Sequence, residues 1–305
     1  MIEDTASMQG VMLDAGALLR LRAHAAERHR HHLAPTGRPG GFAGRRAGNG
    51  SETADLRLYL PGDDIRHLER SATARTGVPH VRTFHEELEK FAILIADFSP
   101  PMVWGTRRSL RSVVVAEGLA LCGWLYAEEG ARIGLLASAD GEIHSVTPRA
   151  GARGMGGVVT GLCHAHGLSI AAALARHAAE PVDLSALLER AARVATTRST
   201  LVLASSFESL PPEFERMVMS LIRRVRMVAL VVCDAFELDP PAGTYPFATR
   251  QGGLSWGQVA KGKQRQGDTR VAFLERLGMR VIRIDAGSKP QTVIAELDRP
   301  HGQHR

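Results

Sequence analysis

Residues Phe91–Ala96 read Phe-Ala-Ile-Leu-Ile-Ala, an unbroken apolar run that ends in Asp97. A strand with one wet face alternates apolar and polar side chains, because neighbouring side chains point to opposite faces. A short run without alternation suits a strand covered on both faces, as in a parallel sheet between two layers of helices. Two more runs, Leu201–Ala204 and Met227–Cys233, have the same character, and polar residues follow both: Ser205 and Ser206, then Asp234.

The segments around these runs alternate helix and strand. Residues 107–130 read as a helix closed by Gly130, and residues 131–148 as two strands about the turn Asp140-Gly141. The stretch "GARGMGG" reads as a glycine-rich link into a helix over 160–179. A helix from Asp183, a strand at 199–207, a helix at 211–225 and a strand at 226–237 follow. A hairpin region, a helix from Asp268 and a strand at 279–285 complete the order. This βαβα succession predicts an α/β fold: a doubly wound, mostly parallel sheet with helices on both faces. Ligands bind such sheets beyond the carboxyl ends of the strands, where Asp97, Ser99, Ser205, Ser206 and Asp234 fall.

Before the sheet, residues 10–33 carry a rough helical period, and an Arg/His/Gly-rich linker runs on to residue 54. His24, His29, His31 and His32 stand there at irregular spacing, which fits a solvated cationic segment better than a metal site. Residues 55–90 form a connector, 91–290 the sheet domain and 291–305 a tail.

The chain has 305 residues and a formal net charge of +6, carried by arginine with only Lys90, Lys261, Lys263 and Lys289. Aromatics make up 5% of it, too few to interleave a basic stripe with stacking rings, so the charge alone argues weakly for nucleic acid. Cys122, Cys163 and Cys233 are too scattered for a disulfide framework and read as buried thiols. No apolar run reaches the ~18–20 residues of a membrane span, and the first residues lack a leader pattern, so the expected location is cytoplasmic. Gly257–Gln264, "GQVAKGKQ", has the glycine and lysine spacing of a phosphate-binding loop. It lacks the following Ser or Thr and a leading buried strand, and reads as a basic loop. His164 and His166, two apart on a helix, point to different sides and share no metal.

Several segments in order carry a resemblance: "RLYLPGDDIRHLERSATAR", "FHEELEKFAILIADFSPPM", "DLSALLERAARVATTRSTLVLASSFE" and "VVCDAFELDPPAGTY". From about Gly44 to Asp285 the chain resembles domain-of-unknown-function family 58. The resemblance implies a von Willebrand factor A-like fold and association with MoxR-type AAA+ ATPases in the maturation or assembly of other proteins. The related metal-ion-dependent adhesion site uses Asp-x-Ser-x-Ser, a Thr on a second loop and an Asp after a later strand. Here Asp97 and Ser99 match. Pro101 stands for the second serine, Val182, just before Asp183, for the threonine, and Ser206 for the strand-end aspartate. A Mg²⁺ or Mn²⁺ site would keep only Asp97 and Ser99, one carboxylate where two are needed to offset dehydration, so the site reads as vestigial.

The stretch Pro61–Gly77 crowds Asp63, Asp64, Arg66, Glu69, Arg70 and Arg75 into one segment. Neighbouring carboxylates in a turn tend to cap the next helix. The segment is expected to act as an ion-paired brace between the N-terminal part and the sheet, with partner binding the next reading. The functional expectation is a non-enzymatic adaptor without a cofactor. It would bind a MoxR-type ATPase or its client through Asp97, Ser99, Pro101, Val182, Asp183 and Ser206. The alternatives are a metal-dependent hydrolase or nuclease using Asp63, Asp64, Asp97 and Asp234, and a basic nucleic-acid-binding protein.

Overall fold

The computed structural model describes residues 10–33, 53–84, 90–175, 181–238, 240–248, 254–260 and 268–298. The chain divides into two units, Met1–Leu33 with Lys90–Arg305, and Ala34–Glu89. Helices α1 (Ala15–Arg20) and α2 (Arg22–Leu33) come first. The smaller unit follows with β1 (Thr53–Leu58), a 3₁₀ turn at Ile65–His67, α3 (Arg70–Thr76) and β2 (His80–Phe84), the two strands antiparallel. The larger unit then continues with β3 (Phe91–Asp97), α4 (Arg111–Glu128), β4 (Arg132–Ala139), β5 (Glu142–Ala150) and α5 (Gly151–Ala175). Next come α6 (Leu184–Val194), β6 (Thr200–Ser205), α7 (Phe214–Leu221), β7 (Arg226–Cys233) and α8 (Ala235–Leu238). A hairpin of β8 (Gly243–Ala248) and β9 (Leu254–Val259), then α9 (Thr269–Arg276), β10 (Arg280–Asp285) and α10 (Thr292–Asp298), end the fold.

Six strands make the sheet in the order β10-β7-β6-β3-β4-β5. All neighbours are parallel except β5, which runs antiparallel to β4 at the edge. The expected mostly parallel sheet is present, and β3 lies at its centre, paired with β4 and β6. Its apolar run is explained by the two cores it separates. Leu94 and Ala96 face one core with Leu119, Leu121, Trp124, Met155 and Leu162. Ile93 and Ile95 face the other with Leu187, Leu188, Phe214 and Leu274. The antiparallel β4–β5 hairpin turns at Asp140-Gly141, both at positive φ (48° and 76°), the primed geometry that matches strand twist.

Three expectations need revision. The N-terminal helix breaks at Leu21 into α1 and α2 and does not stand apart with the linker: Leu18, Leu21 and Ala25 join the first core. Trp124 Nε1 donates to Leu18 O at 3.0 Å, and Arg22 pairs with Glu128 at 3.0 Å. Similarly, part of the expected tail is helix α10, with Val293 1% exposed. The linker at 34–52 and the basic residues Lys261 and Lys263 lie outside the described residues.

The third revision concerns "GARGMGG", which is the first two turns of α5 and not a link. Glycine costs a helix interior about 1 kcal/mol against alanine. Here close packing on β4 and β5 outweighs that cost. A Cβ on Gly154 would lie 1.9 Å from Arg149 O, and one on Gly161 2.8 Å from both Leu135 and Val146. At 25 residues, with Arg153 its single Asp, Glu, Lys or Arg, α5 is long and apolar enough to cross a membrane by length and composition. Glycines and histidines punctuate it, so its sequence shows no uninterrupted apolar run. In this fold one side of α5 packs on β4, β5 and α4.

Leu94 is 0% exposed between these layers. Leu94→Ala is expected to lower the unfolding free energy by about 3 kcal/mol, read from the urea midpoint at unchanged slope. A loss below about 1 kcal/mol would show that the sheet's first face is less tightly packed than described.

Candidate functional site

The direction of chain progression reverses between β3 and β6. From β3 the chain crosses to β4 on one side, and from β6 to β7 on the other. The crevice at such a switch point is where doubly wound sheets take ligands. Asp97 stands at its mouth, at the end of β3, and is 6% exposed. Its Oδ2 accepts from Ser205 Oγ at 2.6 Å, across from the end of β6, and its Oδ1 accepts from Ser99 N at 2.9 Å. The carboxylate is therefore held by a hydroxyl and an amide of the protein itself. Ser99 begins a short 3₁₀ turn, Pro100–Met102, with proline at its first position.

A cavity of about 220 Å³ opens beside this point, lined by Phe98, Ser99, Pro100, Ser138, Ala173 and Val182 among others. Of the residues expected to form the surface, Ser99 and Val182 meet there. Pro101 is exposed nearby in the chain, and Asp183 caps α6, its Oδ1 accepting from Ala186 N at 2.9 Å. Asp97 and Ser206 are both buried, and the Ser206 carbonyl accepts from Arg270 Nη1 at 3.0 Å. A divalent cation would find one carboxylate here, already engaged by Ser205, with no side-chain oxygen on Pro101 or Val182. This donor set does not fit Mg²⁺, which depends on carboxylates in near-octahedral array.

Next to the crevice lies a polar cluster of which the sequence singled out only Asp234. Arg111, the first residue of α4, is 4% exposed. A cation at a helix N-terminus opposes the helix dipole, so its place must be compensated. Its Nη2 bonds Glu237 of α8, and Glu208 after β6 at 3.0 Å. Its Nη1 donates to Pro101 O at 3.3 Å, and its guanidinium lies 4.7 Å from the centre of the Trp104 ring. Arg270 reaches the same group from α9, with Glu237 at 3.2 Å and a forked pair to Asp268 at 2.9 and 3.0 Å. Asp234 closes the set: it accepts from Thr106 N at 2.9 Å, from the Thr106 hydroxyl, and from Phe236 N at 2.8 Å. The loops after β3, β6 and β7 are thus fastened together by charge-assisted bonds.

Titration follows these contacts. Burial raises Glu237, and neighbouring Glu208 adds to the rise, against the Asp234 amide and two arginines. Asp234 is held below the usual carboxylate range. Burial, its largest influence, pushes the other way, and bonds from Thr106 and Phe236 together outweigh it. Cys233, 0% exposed, is pushed up to about 12 by burial, as is Cys122, as expected of buried thiols; Cys163, expected to be buried as well, is only half-buried. His166 is buried with its Nε2 2.9 Å from Val11 O, while His164 points elsewhere, toward His144.

Within the smaller unit, the charges of Pro61–Gly77 make short-range contacts among the described residues. Asp63 accepts both Nη atoms of Arg57 at 2.6 Å and the Leu60 amide at 2.8 Å. The arginine bond first, and then the amide, lower its pKa to about 2. Asp64 caps the 3₁₀ turn through Arg66 N at 3.0 Å, and Glu69 caps α3 through Ser71 N at 3.2 Å. Arg66 lies 3.8 Å from Asp64 and is largely exposed. Arg70 and Arg75 sit in the first and last turns of α3. The principal ion pair is Asp63 with Arg57, a residue outside the expected set. The residues invoked for hydrolysis are equally committed. Asp97 ends β3 and Asp234 follows β7, with β6 between those strands, and each is bonded to its own partners.

The model of the family described as "Protein of unknown function DUF58" matches residues 55–267. The chain belongs to the DUF58 family. Relatives of this DUF58 protein include uncharacterized proteins of Mycobacterium tuberculosis and Mycobacterium bovis. Each is 28% identical over 196 residues, covering 64% of this chain and 58% of its own length. The chain thus spans 58% of the length of these curated relatives. Among solved structures, an uncharacterized membrane spanning protein from Vibrio fischeri aligns at 14% identity with a TM-score of 0.20, over 68% of this chain and 98% of its own.

In this DUF58 protein, Arg111→Met leaves Glu208 and Glu237 without their buried partner, and is expected to cost about 3–5 kcal/mol in urea unfolding. Arg111→Lys is expected to recover little, since an ammonium cannot fork between two carboxylates. Asp234 gives a pH signature. Its folded-state pKa is depressed, so its contribution is present above the unfolded value, near 4, and is lost as pH falls through the folded one. Asp234→Asn should therefore flatten the decline in thermal midpoint below about pH 4; an unchanged decline would assign the acid sensitivity to other carboxylates.

Proposed function

We propose that this protein is a non-enzymatic adaptor with a von Willebrand factor A-like sheet, working with a MoxR-type AAA+ ATPase or that ATPase's client in the maturation or assembly of another protein. The observation that carries the reading is the state of Asp97. The acid at the switch point is buried and bonded to Ser205 and Ser99, so recognition at this crevice rests on shape and not on a bridging cation. The strand order, with its reversal between β3 and β6 and an antiparallel edge strand, supports the finer fold assignment. The adjoining cavity, walled by Phe98, Pro100 and Val182, offers a place for an apolar side chain of the partner.

The test is direct binding of a purified, nucleotide-free MoxR-type ATPase from the same organism, followed by interferometry with Mg²⁺ and with EDTA. Equal affinity in both, falling at least tenfold for Val182→Arg, is the expected result. No binding, or binding lost in EDTA, would overturn the adaptor reading or its metal independence respectively.

A further inference from the structure

A second cleft, of about 590 Å³, lies between the edge strand β5 and the N-terminal half of α5. Its Arg149 end, level with Ile133 of β4, lies away from the Asp97 crevice along the strands, while its His144 end reaches the level of Ala137, one residue before Ser138. The end of β5 pairs with the start of β4, Ala150 with Arg132, and α5 sets out from there. Its polar lining is Arg149, Arg153, His144, His164, Ser145 and Thr147, and neither Asp nor Glu lines it. Arg149 and Arg153 are exposed and have no acidic partner among the described residues. Elsewhere in the larger unit, Arg22, Arg108, Arg111 and Arg270 are each bonded to carboxylates. The two imidazoles meet edge to face with centres 5.5 Å apart, and His144 Nε2 is buried with no hydrogen-bond partner among the described residues. The close approach of α5 to β5 at Gly154 and Gly161 brings these groups onto one cleft. Gly156, by contrast, lines the open side: a Cβ there would meet nothing within 4 Å.

From two unpaired guanidinium groups beside hydroxyls, with no opposing acid and with an unsatisfied imidazole farther along the same cleft, we infer that the cleft binds a small soluble phosphomonoester, its phosphate at the Arg149–Arg153 end. Guanidinium groups match phosphate oxygens with forked, charge-assisted bonds, and the first amides of α5 add positive potential at the same end. The cleft is of the size usual for small-molecule sites. Its lining contains no Phe, Tyr or Trp, so a stacking platform for successive bases is lacking, and a compact ligand fits better than a nucleic-acid strand.

The experiment is calorimetric titration of the full chain with inorganic phosphate and with adenosine monophosphate at constant ionic strength, alongside flotation with vesicles containing phosphatidic acid. Saturable binding of one or both soluble probes is expected, with the stronger of the two telling free phosphate from an organic phosphate. The Arg149→Ala/Arg153→Ala double variant should weaken it at least tenfold. Gly156→Leu, which fills the cleft from a position with room and favours the helix, should abolish it at an unchanged or higher thermal midpoint. Saturation by neither probe, equal binding by wild type and both variants, or retention on vesicles alone would overturn the inference.

Discussion

The guanidinium of Arg111 holds the working end of this molecule in one piece. It is nearly sealed from solvent, begins a helix at the end where the dipole disfavours a cation, and bonds carboxylates that follow two different strands. Such a group is expensive to bury and more expensive to orphan. Its partners, together with Arg270 and the Thr106–Asp234 bond, fix the loops after β3, β6 and β7 relative to one another. The shape of the neighbouring crevice depends on those loops. A change at Arg111 would therefore reach the surface through backbone position and not through direct contact.

Asp97 shows the same economy from the other side of β6. In a metal site its carboxylate would be free to ligate; here Ser205 and the Ser99 amide occupy it. Pro101, Val182 and Ser206 have turn and packing roles here and offer a cation no side-chain carboxylate. Val182 packs against the second core, and Ser206 gives its carbonyl to Arg270. What remains at the switch point is a rigid, partly apolar contour beside an ionic cluster.

Much of this was legible in the sequence, for identifiable reasons. The strands β3, β6 and β7 announce themselves because both faces of each are buried, which removes polar interruptions. The Asp140-Gly141 turn is local chemistry and reads directly. The glycines of α5 misled because the physical cause of their presence, contact with Arg149, Leu135 and Val146, lies across the fold. Ser205 and Ser206 were both legible at the strand end, but that Ser205 and not Ser206 faces Asp97 is a matter of strand phase that motif positions do not encode. Arg111 and Arg270 carried no signal, since charged residues on predicted helices default to solvent, and their partners are distant in sequence. In the smaller unit Asp64 and Glu69 cap, as carboxylates in a turn tend to, whereas Asp63 takes a cation, Arg57, from the strand before the turn.

The placement of α1 has a consequence for how the chain is made. Leu18 docks on Trp124, 106 positions later, and the whole smaller unit is interposed between α2 and the strand that opens the sheet. At ribosomal rates of ~5–20 residues per second, the apolar face of α1 emerges roughly 5–20 s before the helix that will cover it exists. During that interval the nascent protein presents Leu18, Leu21 and Ala25 uncovered, so this segment waits for a partner made 106 positions later.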